Sequence, residues 1–310
     1  MTERTPSAPR LFVAGAGAVG GALAAALHRR GWPLVELASR TPGRARERLS
    51  QISAGGPGAG GAQALDFAAM CEPGRPAGAG AALLLVAVPD RALPAAAAAL
   101  ARRAWPPGSV ALHTSGAVEV AALEPLRAAG LAIGGLHPLH SFVDLERDVA
   151  ALQRAILAVE GDAPALALAE RIAHELGARA FRLAPGARPA WHAAASHACN
   201  HLVALTDQAI ELLAAAGLDR EAARAALLPL QRGTLDNLAA HAPAEALTGP
   251  IVRGEVEVVR GHLAALAAAP PDVAAAYRAL GRRAVALARA RGLPADVAAA
   301  LLDALQERSS

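Results

Sequence analysis

The sequence contains no lysine, so all 30 of its basic residues are arginine. Mechanisms that need a catalytic lysine are therefore excluded. The arginines alternate with acidic residues along the predicted helices, and the formal net charge is only +3. Only 4 Phe, 3 Trp and 1 Tyr are available to stack on bases. Because nucleic-acid binding usually needs concentrated basic charge and aromatic side chains, we expect no nucleic-acid partner.

Cysteine is also scarce, since Cys71 and Cys199 are the only two and no C-x-x-C motif is present. Two cysteines cannot form a disulfide framework. The first ten residues, MTERTPSAPR, are polar and charged, unlike a secretory signal peptide. No apolar run approaches the roughly 18 residues that a membrane span needs. These absences predict a cytoplasmic protein without a membrane partner.

A glycine motif near the start of the chain carries the strongest signal. Leu11 to Ala14 are typical of a buried strand, and G-x-G-x-x-G follows directly and leads into an Ala-rich helix. In this context the glycines permit a tight turn, admit a pyrophosphate to the backbone and let the helix pack closely on the strand. The alternative is a Gly/Ala-rich turn without a ligand. We predict dinucleotide contacts from Gly15, Gly17, Ala18, Val19 and Gly20.

The end of the second predicted strand, Leu34 to Ala38, indicates which dinucleotide is bound. NAD-binding domains usually place Asp or Glu there to bind the ribose hydroxyls, whereas this sequence reads SRT and then continues with several arginines. A planar guanidinium suits a ribose 2′-phosphate, so we predict NADP rather than NAD. Glu36, inside the strand, leaves NAD as an alternative, and Arg46 is expected on a solvated helix face. The predicted contacts are Ser39, Arg40, Thr41 and Arg44.

The most apolar strand of the sequence is predicted at Ala82 to Val88. Since the carboxyl ends of parallel strands line the ligand crevice, we expect Val88, Pro89 and Asp90 to border the cofactor. Asp90 has a second interpretation of equal weight, as the cap of a helix that begins near Leu93.

Further strands at Val110 to His113 and Leu131 to Leu136 end in polar loops, which is the doubly wound pattern. After Pro185 the sequence changes to successive helices, including one long helix from Pro189 to about Ala216 and another that Pro229 could break. The predicted class is α/β, with a doubly wound Rossmann domain at residues 1–185 followed by an all-α domain for substrate binding and dimerisation at residues 186–310.

His137 is the strongest candidate for chemistry. It is expected in the loop after a strand at the crevice edge, and imidazole titrates near neutral pH, so it could protonate a reacting group during hydride transfer. Ser115, leaving the neighbouring strand, could share its hydrogen bonding. The structural alternative is a capping histidine that Pro138 holds in place. His140 is a weaker candidate.

The predicted long helix carries further polar residues at helical spacing. His192, Ser196 and Asn200 recur every fourth residue and would share one face, which we expect to border a cleft or a partner. His197 and His201 recur on another face, but no carboxylate or third ligand accompanies them, so we predict no metal site. Arg253 lies in a glycine- and proline-rich turn and is a candidate to bind a substrate carboxylate. The alternative is that this turn only joins two helices and contacts no substrate.

These motifs, taken in order, resemble a known family. The sequence resembles proteins that pair a Rossmann-like domain with a DUF2520 helical domain. The motifs that carry the resemblance are, in order, GAGAVG with SRT, VPD, HTSG, GGLHPLHSF, WHAAASHACNHLVAL and ALTGPIVRGE with His262 downstream. The resemblance implies membership of the 6-phosphogluconate-dehydrogenase-like group of NADP-dependent reductases, whose C-terminal helices commonly form a homodimer. The family's helical motif usually reads YHAAAVFASNYLVAL, so His192 and Asn200 match it, whereas His197 and His201 stand where aromatic residues are usual.

The HP pair after a strand also resembles prephenate dehydrogenases, in which the histidine contacts the reacting hydroxyl and a serine assists. By position these roles fall on His137 and Ser115, with His192 and Asn200 as a substrate-orienting pair. We therefore expect an NADP-dependent oxidoreductase that acts on a small carboxylate-bearing carbonyl compound, such as the 2-keto acid ketopantoate. The alternatives are an imine reductase that resembles pyrroline-5-carboxylate reductase, and a non-catalytic NADP-binding sensor or assembly protein.

Overall fold

The computed structural model describes residues 8–56 and 58–306, which divide into two compact units, one up to Cys199 and one from Asn200 onward. The first unit contains an eight-stranded sheet, as far as the described residues show, in the order β3-β2-β1-β4-β5-β6-β7-β8. The strands are β1 (Arg10–Ala14), β2 (Leu34–Ser39), β3 (Gln63–Asp66), β4 (Ala82–Val86), β5 (Val110–His113), β6 (Ala132–Pro138), β7 (Ile156–Gly161) and β8 (Arg179–Arg182).

Eight helices connect and flank these strands in the described part of the first unit. They are α1 (Ala18–Arg29), α2 (Pro42–Ala54), α3 (Phe67–Met70), α4 (Leu93–Leu100), α5 (Glu124–Ala128), α6 (Leu145–Leu152), α7 (Ala163–Leu176) and α8 (Arg188–Ala198). No helix in the portion that the structure describes is long and apolar enough to cross a membrane.

The core of the first unit has two layers, one on each face of the sheet. Side chains alternate along β1, so Leu11 and Val13 pack into one layer while Phe12 and Ala14 pack into the other. Every residue of β4 is buried as well. A strand that is covered on both faces reads as a continuous apolar run, which is why β1 and β4 could be predicted. The predicted doubly wound fold followed by helices is confirmed.

The sheet reverses its strand order next to β1. The chain proceeds from β1 to β2 and β3 on one side, and then crosses back so that β4 pairs with β1 on the other side. The strands from β3 to β6 are parallel, so their carboxyl ends meet at one edge. In open α/β sheets a crevice forms at this reversal, which fixes where a ligand site is expected.

The predicted loop position of His137 was wrong. β6 continues to Pro138, and His137 pairs with Ala158 in the antiparallel ladder between β6 and β7. The proline does not end the strand early because it occupies the last position, where the ladder tolerates a missing N–H group. His137 is therefore held by a sheet rather than by a loop.

The second unit is entirely helical in its described residues. It contains α9 (Asn200–Ala215), α10 (Arg220–Ala240), α11 (Pro243–Ala246), α12 (Val256–Ala265), α13 (Pro271–Ala290) and α14 (Ala295–Ala304). Helix α10 runs through Pro229 without a break. A small core that includes Val259, Val285 and Leu301 joins the last helices of this unit.

The predicted long helix from Pro189 is two helices. Helix α8 ends at Ala198 and α9 begins at Asn200, with Cys199 between them at φ −109° and ψ −65°. The units divide at this break, beyond the boundary of residue 185 that the sequence indicated. The cause is Arg188, the first residue of α8, which is fully buried and pairs with Glu160 of β7, so α8 is anchored to the sheet.

Candidate functional site

A cleft with a volume of about 580 Å³ opens at the carboxyl ends of the central parallel strands. Three of the predicted segments converge on it: the turn after β1, the loop after β2 and the loop after β4. A volume of this size is ordinary for a small-molecule or cofactor site. The predicted residues that line the cleft are Gly15, Gly17, Ala18, Val19, Ser39, Arg40, Thr41, Arg44, Val88, Pro89, Asp90, Ser115 and His192.

The three motif glycines have different environments in the turn. Gly15 has φ +126°, and a Cβ atom there would overlap the carbonyl group of Ala87. Gly20 does not line the cleft, because it packs against the carbonyl oxygen of Gly15. A Cβ atom at Gly17 would contact nothing within 4 Å. Two glycines thus shape the turn, while Gly17 leaves open space toward the cleft.

Helix α1 begins directly after this turn, with Gly17 at its N-cap. The first intrahelical bond runs from the N–H group of Gly21 to the carbonyl of Gly17, so the N–H groups of Ala18 and Val19 are left without helical partners. Both residues line the cleft. Free N–H groups and the positive end of the helix dipole form a natural binding site for phosphate.

The loop after β2 brings positive charge to the rim of the cleft. Arg40 and Arg44 are exposed there, and neither guanidinium pairs with a carboxylate of the described residues. The hydroxyl of Ser39 accepts a hydrogen bond from the N–H group of Thr41 at 3.2 Å, which closes the turn. The loop therefore offers two unpaired guanidinium groups to an anion.

Glu36, which kept NAD open in the sequence, does not reach the cleft. It is 3% exposed and lies in a buried ion-pair cluster, where Arg103 donates to its carboxylate at 2.6 and 3.1 Å and Arg75 donates at 2.8 Å. Its charge is satisfied by these partners. Glu36 is therefore engaged in the structure of the sheet and is unavailable to bind a ribose.

Asp90 lines the cleft from the loop after β4. The alternative prediction, that it caps the following helix, was wrong: α4 begins at Leu93 with Ala92 at its N-cap, and no side chain caps it. Asp90 begins a short 3₁₀ turn instead. Its carboxylate is exposed toward the cleft and close enough to favour the protonated form of His137.

The other end of the cleft is formed by Ser115, Gly116 and His192. The hydroxyl of Ser115 accepts hydrogen bonds from the N–H groups of Ala117 and Val118 at 3.1 and 2.9 Å, which shapes the loop after β5. A Cβ atom at Gly116 would lie 2.6 Å from Nδ1 of His192 and 2.7 Å from Nε2 of His137. Two imidazole nitrogens from different elements therefore converge on Gly116.

His137 lies behind Gly116 and is half-buried, with its ring 6.0 Å from the ring of His192 and nearly perpendicular to it. Its Nδ1 atom accepts a hydrogen bond from the indole N–H group of Trp191 at 3.0 Å. Burial first, and then the positive charge of Arg188, lower the pKa of His137 to about 4. The expectation of titration near neutral pH was wrong, because a desolvated imidazole beside a guanidinium stays neutral.

Sequence reasoning missed the buried support of this end of the cleft. The guanidinium of Arg188 pairs with Glu160 and donates to the backbone carbonyl of Ser115. His113, the last residue of β5, is completely buried and neither ring nitrogen has a hydrogen-bond partner among the described residues. Burial and Arg188 lower the pKa of His113 to about 3. A histidine that ends an otherwise apolar strand was the available signal.

The remaining candidates have the following surroundings within their own units. Asn200 is exposed and begins α9, so its predicted helical register with His192 is interrupted at Cys199. Arg253 is engaged by Glu255 through two hydrogen bonds of 2.8 and 2.9 Å. His197 and His201 are exposed. His140 lies near Asp148, with Nε2 and a carboxylate oxygen 3.0 Å apart.

In residues 8–56 and 58–306, no three His, Cys, Asp or Glu side chains are grouped so that they could hold a metal ion.

Two family models match the chain. One describes a Rossmann-like domain and matches residues 4–138, and the other describes a domain of unknown function, DUF2520, and matches residues 155–284. The predicted pairing of these two domains is confirmed. No curated protein sequence matches the chain.

Solved structures share the fold over nearly the whole chain. A protein from Thermotoga maritima aligns with a TM-score of 0.68 and 22% identity, over 91% of this chain and 99% of that chain. A Bacteroides fragilis protein, provisionally assigned as an NADP oxidoreductase, aligns with a TM-score of 0.66 and 24% identity, over 91% and 97%. An imine reductase from a Pseudomonas species aligns with a TM-score of 0.56 and 20% identity, over 97% and 100%.

Proposed function

Because one part of the chain matches a Rossmann-like domain and another matches a DUF2520 domain, we propose that it is an NADP-dependent oxidoreductase. Its substrate in this proposal is a small carbonyl compound that carries a carboxylate, of the 2-keto acid type. One observation carries the proposal: the glycine turn, the start of α1 and two unpaired guanidinium groups line a single cleft at the reversal of the sheet.

The residues present fit a dinucleotide phosphate. The space beside Gly17 admits a pyrophosphate to the free N–H groups at the start of α1. Arg40 and Arg44 would hold the 2′-phosphate of the adenosine ribose, since planar guanidinium groups bind phosphate through paired hydrogen bonds. The engagement of Glu36 by Arg103 leaves the ribose pocket without that competing carboxylate, which favours NADP over NAD.

A bound nicotinamide would supply the hydride. The chain's own residues would act on the reacting carbonyl oxygen, which gains negative charge as the hydride arrives. His137 is neutral near pH 7, so it would act as a hydrogen-bond donor to that oxygen rather than as an imidazolium acid, and the alkoxide would take its proton from solvent water in the open cleft. Ser115 would position the loop, and His192, which lines the cleft, would orient the substrate.

A second candidate function is the reduction of an imine. Two observations favour it: the structurally similar proteins include an imine reductase, and Asp90 places a carboxylate in the cleft that could pair with an iminium cation. A neutral imine, like a carbonyl, presents an acceptor atom to which His137 could donate, whereas an iminium cation has no lone pair and would pair with Asp90 instead.

The experiment measures cofactor binding first and chemistry second. Isothermal titration calorimetry with NADPH and NADH should give tighter binding of NADPH, and a failure of both to bind at millimolar concentration would refute the proposal. NADPH oxidation is then followed with a panel of 2-keto acids and cyclic imines. Turnover of keto acids supports the first candidate and turnover of cyclic imines the second, whereas binding without oxidation would indicate a sensor or assembly protein.

We also propose that the protein is a homodimer through its helical unit. Large apolar side chains are exposed on its helices, including Val203 of α9 at 69% and Leu230 of α10 at 68%. Such side chains are common at subunit contacts. Analytical ultracentrifugation should give the mass of two chains, and a monomer at micromolar concentration would contradict the proposal.

A further inference from the structure

The two ring nitrogens of His137 lie in different surroundings. Nδ1 accepts a hydrogen bond of 3.0 Å from the indole nitrogen of Trp191, whereas Nε2 lies on the side of Gly116, 2.7 Å from where a Cβ atom of that glycine would be. Gly116 lines the cleft. One nitrogen is therefore turned toward Trp191 of helix α8 and the other toward Gly116, which borders the cleft.

The bond from Trp191 determines where the proton of His137 lies. An indole N–H group can donate a hydrogen bond but cannot accept one. Nδ1 must therefore carry a lone pair, and in a neutral imidazole the proton then lies on Nε2. Protonation of Nδ1 would place two N–H groups against each other at a distance that suits a hydrogen bond.

Trp191 is itself fixed from two sides. Its ring stacks on Phe181 of β8 at 5.5 Å, with only 10° between the two planes. Its helix is anchored one turn earlier by Arg188, which is fully buried and pairs with Glu160 of β7. The indole thus has little freedom to leave the histidine, and its position is set by the sheet on which α8 packs.

We propose that Trp191 is a positioning residue that keeps Nδ1 of His137 unprotonated, so that His137 presents an Nε2–H donor beside Gly116 to an acceptor atom of the substrate. The inference rests on the proposed function, because it concerns the same site. It narrows the substrate class to compounds whose reacting group offers a lone pair, such as a carbonyl oxygen or an imine nitrogen. A reacting group that can only donate, such as an ammonium, does not fit.

The charged and titratable groups around His137 are consistent with a neutral donor. Arg188 and His192 of α8 disfavour a positive charge on the ring, and Asp90 after β4 favours one. His113 of β5 is the fourth neighbour, and its own protonation is opposed by His137. Burial and two basic neighbours outweigh the single carboxylate, so the ring stays neutral.

His192 offers a second contact beside this donor. Its Nδ1 atom is buried without a hydrogen-bond partner among the described residues, and it converges on Gly116 with Nε2 of His137. A buried polar atom without a partner is costly unless a ligand or water satisfies it. This nitrogen is turned against Gly116, so a substrate in the cleft would meet other atoms of the His192 ring.

The tautomer is measured directly by NMR of the full-length protein with 15N-labelled histidine, without cofactor. The protein has ten histidines, so the His137 signals are assigned by their loss in His137→Gln. The wild-type spectrum should show an unprotonated Nδ1 and a protonated Nε2 at pH 7. This measurement needs no variant at Trp191, and a proton on Nδ1 would overturn the inference.

The second measurement uses Trp191→Phe, which keeps a ring to stack on Phe181 but removes the indole N–H group. The midpoint of the His137 titration should rise by about one pH unit, because the donor that opposes protonation of Nδ1 is gone. Trp105→Phe is the matched control: its indole donates to the carbonyl of Leu100 at 3.0 Å, and its loss should leave the His137 midpoint unchanged. Equal midpoints in wild type and Trp191→Phe would also overturn the inference.

Kinetics separate this inference from the proposed function. In Trp191→Phe we expect kcat to fall about fivefold with an unchanged Kd for NADPH, as for the loss of one hydrogen bond. Absence of NADPH binding in the wild-type protein would refute the proposed function but leave the tautomer measurement intact. If the His137 midpoint rose in Trp191→Phe as expected but kcat stayed unchanged, the Nε2–H donor would not serve the reaction, which also overturns the inference.

Discussion

The two ends of the cleft are built in different ways. The glycine end, formed by residues 15–19 and 39–41 with Arg44, consists mostly of a backbone turn and a helix start, to which two exposed arginines are added. The histidine end is formed by Ser115, Gly116 and His192, with His137 behind Gly116, so it joins the loop after β5 to β6 and α8. Backbone geometry follows from local spacing, whereas the histidine end exists only after the sheet and α8 have packed.

The largest effect is expected at the histidine end. Replacing His137 by Gln should lower turnover by on the order of a hundredfold or more, because it removes the group that contacts the reacting atom. NADPH binding should be unchanged, since it depends on the glycine end. His140→Gln is the matched control, because that side chain is engaged near Asp148, and its turnover should be normal. An unchanged rate in His137→Gln would remove this residue from the mechanism.

The glycine end should respond in cofactor binding, and two glycines separate binding from folding. Gly17→Ala should weaken NADPH binding about thirtyfold without changing the melting temperature, because the new methyl group meets no protein atom but occupies the path of the phosphates. Gly15→Ala should also lower the melting temperature, since it combines a φ of +126° with an overlap on Ala87. Calorimetry and thermal unfolding measure the two quantities.

Equal loss of stability in Gly17→Ala and Gly15→Ala would show that Gly17 has a structural role instead. Unchanged NADPH affinity in Gly17→Ala would show that phosphate does not approach the backbone at this turn. Either result would contradict the view that the glycine end binds the cofactor through its backbone.

A smaller effect is expected from Arg40. Arg40→Ala should weaken NADPH binding about tenfold and leave NADH binding unchanged, because only NADPH carries the 2′-phosphate that the guanidinium would hold. Arg46→Ala is the control: this exposed arginine of α2 lies outside the cleft-lining set, and its removal should change neither affinity. Equal weakening for both nucleotides would assign Arg40 to general electrostatic attraction rather than to the choice of cofactor.

The sequence allowed the glycine end and the central strands to be predicted because their signals are local. The run from Leu11 to Ala14, the glycine spacing and the apolar strand before Val88 each lie within a few residues, and the fold places them as the pattern indicates. The side-chain direction of Glu36 could not be predicted. Its partner Arg103 lies far along the chain, and only the packed sheet shows that the carboxylate is buried with it.

At the histidine end the sequence indicated His137, Ser115 and His192 as candidates, but it did not indicate the buried groups around them. The low pKa of His137 comes from burial and from Arg188, which α8 brings to the sheet. In an Ala-rich stretch, hydrophobic periodicity did not reveal the break at Cys199, so Asn200 was assigned to the same helix face as His192. Tertiary contacts decided both points, and no local spacing encodes them.

The last prediction concerns the dependence of stability on pH, and it involves His113 and His137. Burial and Arg188 hold the pKa of His113 at about 3 and that of His137 at about 4. The unfolded chain takes up both protons near pH 6.5, whereas the folded protein does so only near these lower values. The free energy of unfolding should therefore contain this contribution in full above about pH 6.5, and it should decrease as the pH falls toward 4. Urea unfolding at a series of pH values measures this slope.

His113→Leu tests the origin of that slope. Leucine is apolar and titrates no proton, so the variant should take up about one proton fewer than the wild type on unfolding between pH 6.5 and pH 4. Its free energy of unfolding should therefore decrease less steeply with falling pH than that of the wild type. Leu84→Met, an equally buried apolar exchange, should change stability by the same amount at every pH. If His113→Leu kept the wild-type slope, the buried histidine would be protonated in the folded state, and the neutral character of this end of the cleft would be wrong.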